Sequence, residues 1–154
     1  MLHVHSAANI SMIDTATIDV VLADDEEVNR TVAQMGLEMQ GFDGDKIRQV
    51  DTGTAAVEEV MRLQSEEGRC ILVILDLHMP DGLSGDEAAE AIKKCFSSLT
   101  RKPFLTCCSS EVLEDLKEKP WAVYFDHFAP KPMVSVAVED TVKAFSDFVE
   151  ATEK

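Results

Sequence analysis

A chain of 154 residues, 45% hydrophobic and 6% aromatic, can fill one core and is short for two ordinary domains. Its 14 Lys and Arg against 29 Asp and Glu leave a formal charge of −15, which argues against nucleic acid and anionic membranes as main partners because phosphates are repelled. No apolar run approaches the roughly 20 residues of a membrane span, and the four cysteines, which lack zinc spacing, read as free thiols of a reducing, cytoplasmic compartment.

Residues 1–17 contain no Lys or Arg and no leader-like apolar block, so they are expected to form a flexible tail, in which His3 and His5 make at most a weak metal site. Ile18–Ala23 is short, β-branched and apolar, a buried strand. Asp24-Asp25-Glu26-Glu27 follows. Val28, Val32, Met35 and Met39 then recur at helical spacing and predict a first helix closed by Gly41. Lys46–Val50 is a second strand, Gly53 a turn, and Ala56, Val57, Val60 and Leu63 trace a second helix that ends at Gly68. Cys70–Leu75 is a continuous apolar run, the pattern of a central strand covered on both faces.

After Asp76 comes Leu77-His-Met-Pro-Asp-Gly-Leu-Ser-Gly85, rich in turn residues. Ser84 and Glu87 fit a capping box that opens a third helix through Ala88, Ala89, Ile92 and Cys95. Phe104–Cys108 is a fourth strand. Ser110 caps a short fourth helix that stops before Pro120, Val123–Phe128 is a fifth strand, and Val138, Val142, Phe145 and Val149 stripe the last helix. Five rounds of strand then helix predict an α/β domain, a five-stranded parallel sheet with helices on both faces, using residues 18–151.

In such sheets the working site lies beyond the carboxyl ends of the strands. Those ends carry Asp24 and Asp25, Asp76, Cys108 or Ser109, and Lys131. Two carboxylates about 5 Å apart repel by roughly 3 kcal/mol at an effective dielectric near 20. A hard divalent ion such as Mg²⁺ suits three together, because it takes oxygen ligands and keeps waters that a phosphoryl oxygen can replace. Lys131 adds a second positive charge, a hydroxyl on strand four can donate a hydrogen bond, and a carboxylate held there is a competent nucleophile that yields an acyl phosphate.

With these residues in view, the chain resembles the receiver domain of two-component response regulators. Val20-Val-Leu-Ala-Asp-Asp-Glu-Glu-Val-Asn-Arg30 looks like the first strand, acidic pair and helix start, with Asn29-Arg30 similar to receivers of hybrid histidine kinases. Ile74-Leu-Asp-Leu-His-Met-Pro-Asp-Gly82 looks like the phosphoacceptor strand and loop, and Asp126-His-Phe-Ala-Pro-Lys-Pro132 like the Lys-Pro segment, whose last bond is a candidate for cis. The resemblance implies a flavodoxin-like (βα)5 fold with strand order 2-1-3-4-5, in a two-component phosphorelay. Asp76 would accept a phosphoryl group from the phosphohistidine of a histidine kinase or histidine phosphotransfer protein. Asp24, Asp25, Asp76 and the backbone carbonyl of His78 would hold Mg²⁺, or Mn²⁺. Lys131 would contact the phosphoryl group, Phe128 would be the switch aromatic, and the His78 side chain would tune hydrolysis. The donor would dock near Val28 and Val32. A downstream protein would read the face of the fourth helix, fifth strand and fifth helix. The domain would catalyse its own phosphorylation and slow dephosphorylation, as a stand-alone receiver.

Two departures stand out. Gly85 comes one residue later than the family's loop glycine, which predicts a differently shaped loop over residues 81–85. The hydroxyl position falls on Cys108 when counted from Pro103 and on Ser109 when counted back from Lys131; Ser109 is preferred because a thiol donates poorly. Three rival classes fit the residues less well. A haloacid-dehalogenase-type phosphatase has its nucleophile on the first strand in an Asp-x-Asp pattern, which Asp76-Leu-His lacks. A flavodoxin-like electron carrier needs a phosphate loop where Asp24–Glu27 would repel the flavin phosphate. A receiver-like adaptor that is never phosphorylated is favoured only by the ambiguous hydroxyl.

Overall fold

Short β-branched segments alternate with amphipathic ones, and the computed structural model, which describes residues 13–153, assembles them into one parallel sheet. The strands are β1 Asp19–Ala23, β2 Ile47–Val50, β3 Ile71–Asp76, β4 Pro103–Ser109 and β5 His127–Pro130. Their order is β2-β1-β3-β4-β5, all pairs parallel. The helices are α1 Glu27–Met39, α2 Gly53–Leu63, α3 Gly85–Lys94, α4 Leu113–Leu116 and α5 Val136–Thr152. This is the flavodoxin-like five-stranded arrangement that the alternation and the resemblance imply.

Strand side chains alternate between two cores. Val20, Leu22, Leu72, Ile74 and Phe104 meet Ala33 and Leu37 of α1 and Val138, Val142, Phe145 and Val149 of α5. Val21, Ala23, Val73, Leu75 and Leu105 meet Ala56 and Val60 of α2, Ala88 and Ile92 of α3, and Leu116 of α4. β3 is buried throughout, as its unbroken apolar run requires. No helix among the described residues is long and apolar enough to cross a membrane.

The structure corrects several expectations. The tail placed at residues 1–17, His3 and His5 included, lies outside the described residues up to 12. From Ile13 the chain is packed: Ile13 is buried in the α1–α5 core, and Thr15–Thr17 form a 3-10 turn capped by Asp14. On α1 the stripe Val28, Met35, Met39 faces outward, at 73%, 58% and 85% exposure, while Ala33 and Leu37 are buried. α1 carries two apolar stripes, and the one with small residues is the one that lets the helix approach. Gly53 opens α2 rather than making a free turn, with Thr52 capping the amide of Ala55.

Ser110 does not cap α4. The Ser109 hydroxyl instead accepts from the Glu111 amide, which forms a turn and delays the helix, so Val112 precedes a single turn of four residues. The fifth strand begins at His127 rather than Val123, because Pro120 opens a 3-10 turn through Tyr124. Asp126 then sets the register: its carboxylate accepts from the Leu105 amide at 2.8 Å and is paired with Lys93 at 2.9 Å. The Lys131–Pro132 bond is cis.

Two features fix the sheet's ends. At the lower end, Arg101 is only 2% exposed. It donates to Asp19 at 2.7 Å and to the carbonyl of Arg69 at 2.8 Å, while Arg48 pairs with the other Asp19 oxygen. Burial alone would raise the Asp19 carboxyl, but the two guanidinium groups override it and hold it below the usual carboxylate range. At the upper end, the loop after β3 is clamped. The amide of Gly85 donates to the carbonyl of Leu77 at 3.0 Å, that of Gly53 to Leu83 at 3.1 Å, and that of Leu83 to the Thr54 hydroxyl at 3.0 Å. The capping box is present, with the Ser84 amide donating to Glu87 at 3.0 Å. A Cβ on Gly85 would stand 2.2 Å from the carbonyl oxygen of Asp76, so glycine is required there by close backbone approach.

Asp19→Asn leaves the buried Arg101 charge short of a counter-charge and is expected to cost about 3–5 kcal/mol at pH 7 in urea unfolding. Because the folded-state carboxyl lies below its unfolded value, the parent's advantage is complete above that value and closes only as pH falls through the depressed one. Gly85→Ala is expected to shift the amide resonances of Asp76 and Leu77 and to cost about 1–3 kcal/mol.

Candidate functional site

β1 and β3 are adjacent and in register, Ala23 opposite Leu75, so Asp24, the residue after β1, comes level with the last residue of β3. That places Asp24 beside Asp76. One carboxylate oxygen from each of Asp24, Asp25 and Asp76 lies within 4.8 Å of the others; Asp24 and Asp76 are buried and Asp25 is exposed. β4 and β5 bring Lys131 to the same crevice. Its Nζ donates to Asp76 Oδ1 at 2.7 Å and lies 3.0 Å from Asp24 Oδ2. Its backbone amide donates to the carbonyl of Ser109 at 2.9 Å, which ties it to the end of β4.

The electrostatics follow from three acids and one amine in a half-dry pocket. Burial raises the Asp76 carboxyl, Lys131 opposes this, and Asp24 and Asp25 add to the rise; the net shift is upward. Burial would lower the Lys131 amine, but its bonds to Asp76 and Asp24 win and push it up to about 12. One lysine cannot neutralise three carboxylates. The donor set, all oxygen and clustered at one strand end, fits a hard divalent cation.

Asp24 is held in place from several sides. Its Oδ1 accepts from the Glu26 amide at 2.9 Å and from Asn29 Nδ2 at 3.4 Å. Its own carbonyl accepts from the Arg30 guanidinium at 2.7 Å, and Arg30 Nε donates to Gln49 at 3.1 Å. Asn29 and Arg30 thus position the acidic strand end. In the sequence the pair carries no role of its own; the signal for one is its place on the first turns of α1, five and six residues after Asp24.

The remaining candidates are distributed unevenly. Cys108, not Ser109, is the register partner of Asp76, and with Asp24, Asn29 and Lys131 it lines a small cavity of about 20 Å³ beside the acids. Burial pushes its thiol up to about 12, with Lys131 opposing, so it stays protonated at neutral pH. Ser109 is buried one residue further along. Its hydroxyl accepts from Glu111, which leaves its own proton free to donate. His78 lies on the rim with an exposed side chain whose Nε2 is 2.5 Å from Glu111 Oε2, a bridge between the loops after β3 and β4. Phe128 is opposite Cys107 in register, so it lies on the α3–α4 side of the sheet, away from the acids. It packs on Phe125 with centroids 5.7 Å apart, and Phe125 packs on Trp121 at 5.9 Å.

No family model matches the chain, and no curated protein is similar to it in sequence. Solved structures are similar to it in fold. A two-component response regulator from Cytophaga hutchinsonii superposes with a TM-score of 0.68 at 24% identity, covering 84% of this chain and 98% of its own. The receiver domain of the histidine kinase CKI1 from Arabidopsis thaliana, complexed with Mg²⁺, gives 0.65 at 21% identity, with coverages of 86% and 96%. A CheY-like receiver domain from Methanospirillum hungatei gives 0.62 at 22%, with coverages of 89% and 98%. The sheet order, the helices on both faces and these superpositions over nearly the whole length of each neighbour establish that this chain has the fold of response-regulator receiver domains.

Proposed function

We propose that the chain is a phosphoacceptor receiver domain, taking a phosphoryl group onto Asp76 from the phosphohistidine of a histidine kinase or histidine phosphotransfer protein. The observation that carries this reading is the convergence of Asp24, Asp25 and Lys131 on the Asp76 carboxylate at the carboxyl end of the sheet. Asp24, Asp25, Asp76 and the backbone carbonyl of His78 would hold Mg²⁺, or Mn²⁺, which neutralises the acids and polarises the phosphoryl oxygens. The ion's Mg²⁺-bound counterpart in the CKI1 receiver supports that choice.

The chain's own residues supply the rest. An Asp76 oxygen attacks phosphorus as the phosphorus–nitrogen bond of the donor breaks, and the bonding pair returns to the imidazole. Lys131 already bonds Asp76 and moves its hydrogen bond to a phosphoryl oxygen. The Ser109 proton is the hydroxyl donor for another oxygen, drawing the β4 end inward, while Cys108 at the register position contributes only a weak thiol donor. Phe128 follows that movement as the switch aromatic. The His78–Glu111 bridge stands over the mouth and controls the approach of the water that later hydrolyses the acyl phosphate.

A downstream protein partner would read the face of α4, β5 and α5, on which α4 contributes a single turn. The donor would approach along the exposed start of α1. Four free thiols suit the reducing cytoplasm. The register of Cys108 against Asp76 also favours a second reading, an adaptor that is never phosphorylated.

Incubation with acetyl phosphate and Mg²⁺ is expected to add one phosphoryl group by intact mass. EDTA or Asp76→Asn is expected to abolish it; unmodified parent protein would favour the adaptor, and label on another residue would refute the Asp76 assignment. Beryllofluoride with Mg²⁺ is expected to change the fluorescence of Trp121, the single tryptophan, through the Phe128–Phe125–Trp121 stack. That change should persist in Cys108→Ala and disappear in Ser109→Ala; the reverse pattern assigns the switch to Cys108.

A further inference from the structure

The seam between α5 and the β4–β5 side of the sheet is built from aromatic rings. Phe104 of β4 packs on Phe148 with centroids 5.1 Å apart and on Phe145 at 5.7 Å, which seats α5 on the strand. The same ring stacks on the imidazole of His127, at 6.2 Å and an interplanar angle of 27°. His127 opens β5, and its register partner on β4 is Thr106. Both side chains therefore leave the same face of the sheet. It is the face that α5 covers, because Cys108 and Ala129, two residues further along each strand, lie in the core with Val138, Val142 and Phe145.

Thr106 is fully buried, and His127 is half-buried with its Nε2 enclosed. Among the described residues, Thr106 Oγ1 and His127 Nε2 are the buried side-chain polar atoms that no protein group hydrogen-bonds. By contrast, the buried Thr141 hydroxyl of α5 donates to the carbonyl of Ala137 at 2.8 Å. An enclosed polar atom without a partner is costly, and for an imidazole the cost depends on the proton. The neutral ring brings an unpaired nitrogen into the seam. The protonated ring brings a charge and a second N–H that must donate. Burial holds the imidazole below its ordinary value; Asp140 of α5 works against this, and Lys117, just after α4, adds to it. β4 faces the ring with Phe104 and Thr106, neither of them charged.

We propose that His127 is an acid-sensitive latch of α5: the seam accommodates the neutral ring, and protonation drives the ring outward and loosens α5 from the β4–β5 side of the sheet. The seated form binds the proton more weakly than the open form, so the seat is firmest above the ordinary histidine value and weakens as pH falls below it. The Asp19 carboxyl is held under the usual carboxylate range, so acid reaches this latch before it reaches the anchor at the lower end. That α5 belongs to a face read by a partner rests on the function proposed above; the latch does not.

The test uses the full chain, by NMR from roughly pH 7.5 to pH 5.5, the range in which histidine changes charge. The His127, Phe104, Phe145 and Phe148 ring signals are followed together with exchange of the Val142, Phe145 and Val149 amides. After correction for intrinsic exchange, opening of α5 is expected to rise by about threefold or more on acidification, and the phenylalanine signals should move in step with the His127 titration. The rise should disappear in His127→Phe, which keeps the stack, and in His127→Gln, which keeps a polar group. A rise of equal size in either folded variant overturns the proposal. So does a His127 ring that titrates in the parent without moving the phenylalanine signals, a result that needs no variant. Acetyl phosphate labelling of the parent at pH 7.5 reports on Asp76 separately, so failure there removes the phosphoacceptor reading and leaves the latch standing.

Discussion

Mutual repulsion of carboxylates is the constraint around which the upper end of this molecule is organised. Asp24, Asp25 and Asp76 bring three negative charges within 4.8 Å, where each pair costs roughly 3 kcal/mol at an effective dielectric near 20. A fold does not tolerate this without compensation. Lys131 supplies part of it, bonded to two of the three. The Glu26 amide and the Asn29 side chain supply another part by donating hydrogen bonds to the Asp24 carboxylate. What remains is an unneutralised excess of negative charge facing the crevice, and a receiver-type reaction uses such an excess to recruit a cation and, with it, an anionic phosphoryl donor.

The sheet explains why these residues can be so far apart in sequence. Adjacent parallel strands in register deliver their last residues to one line, and the crossover helices carry the chain back each time. Glycine completes the arrangement where backbone meets backbone: Gly85 lies against the carbonyl of Asp76 and Gly53 against that of Leu83. The loop after β3 is thereby fastened to α2 and α3.

Much of this was legible in the sequence. The β-branched run of β3, the alternation of strands and helices, and the acids at strand ends all express local rules that tertiary structure had no reason to override. The failures have equally local causes. α1 offers two apolar stripes, and periodicity favoured Val28, Val32, Met35 and Met39 over Ala33 and Leu37, because large side chains weigh more than small ones in any pattern. β5 was placed too early, because Val123 and Tyr124 look like strand residues, whereas Pro120 and the Asp126 carboxylate on the Leu105 amide decide the register. The choice between Cys108 and Ser109 turns on strand pairing, which no single strand encodes. The role of Arg30 is invisible in the pattern, since its bond runs to a backbone carbonyl.

The buried Arg101–Asp19–Arg48 assembly has a mechanical meaning for the opposite end of the molecule. It fastens β1 and β2, and the start of β4 through Arg101, at their lower ends. Held at its start by Arg101 and flanked along its length by β3 and β5, β4 cannot slide as a rod, so the height of its carboxyl end beside the acids is fixed from below as well as by the pairing of Cys108 with Asp76 and of Ser109 with Pro130.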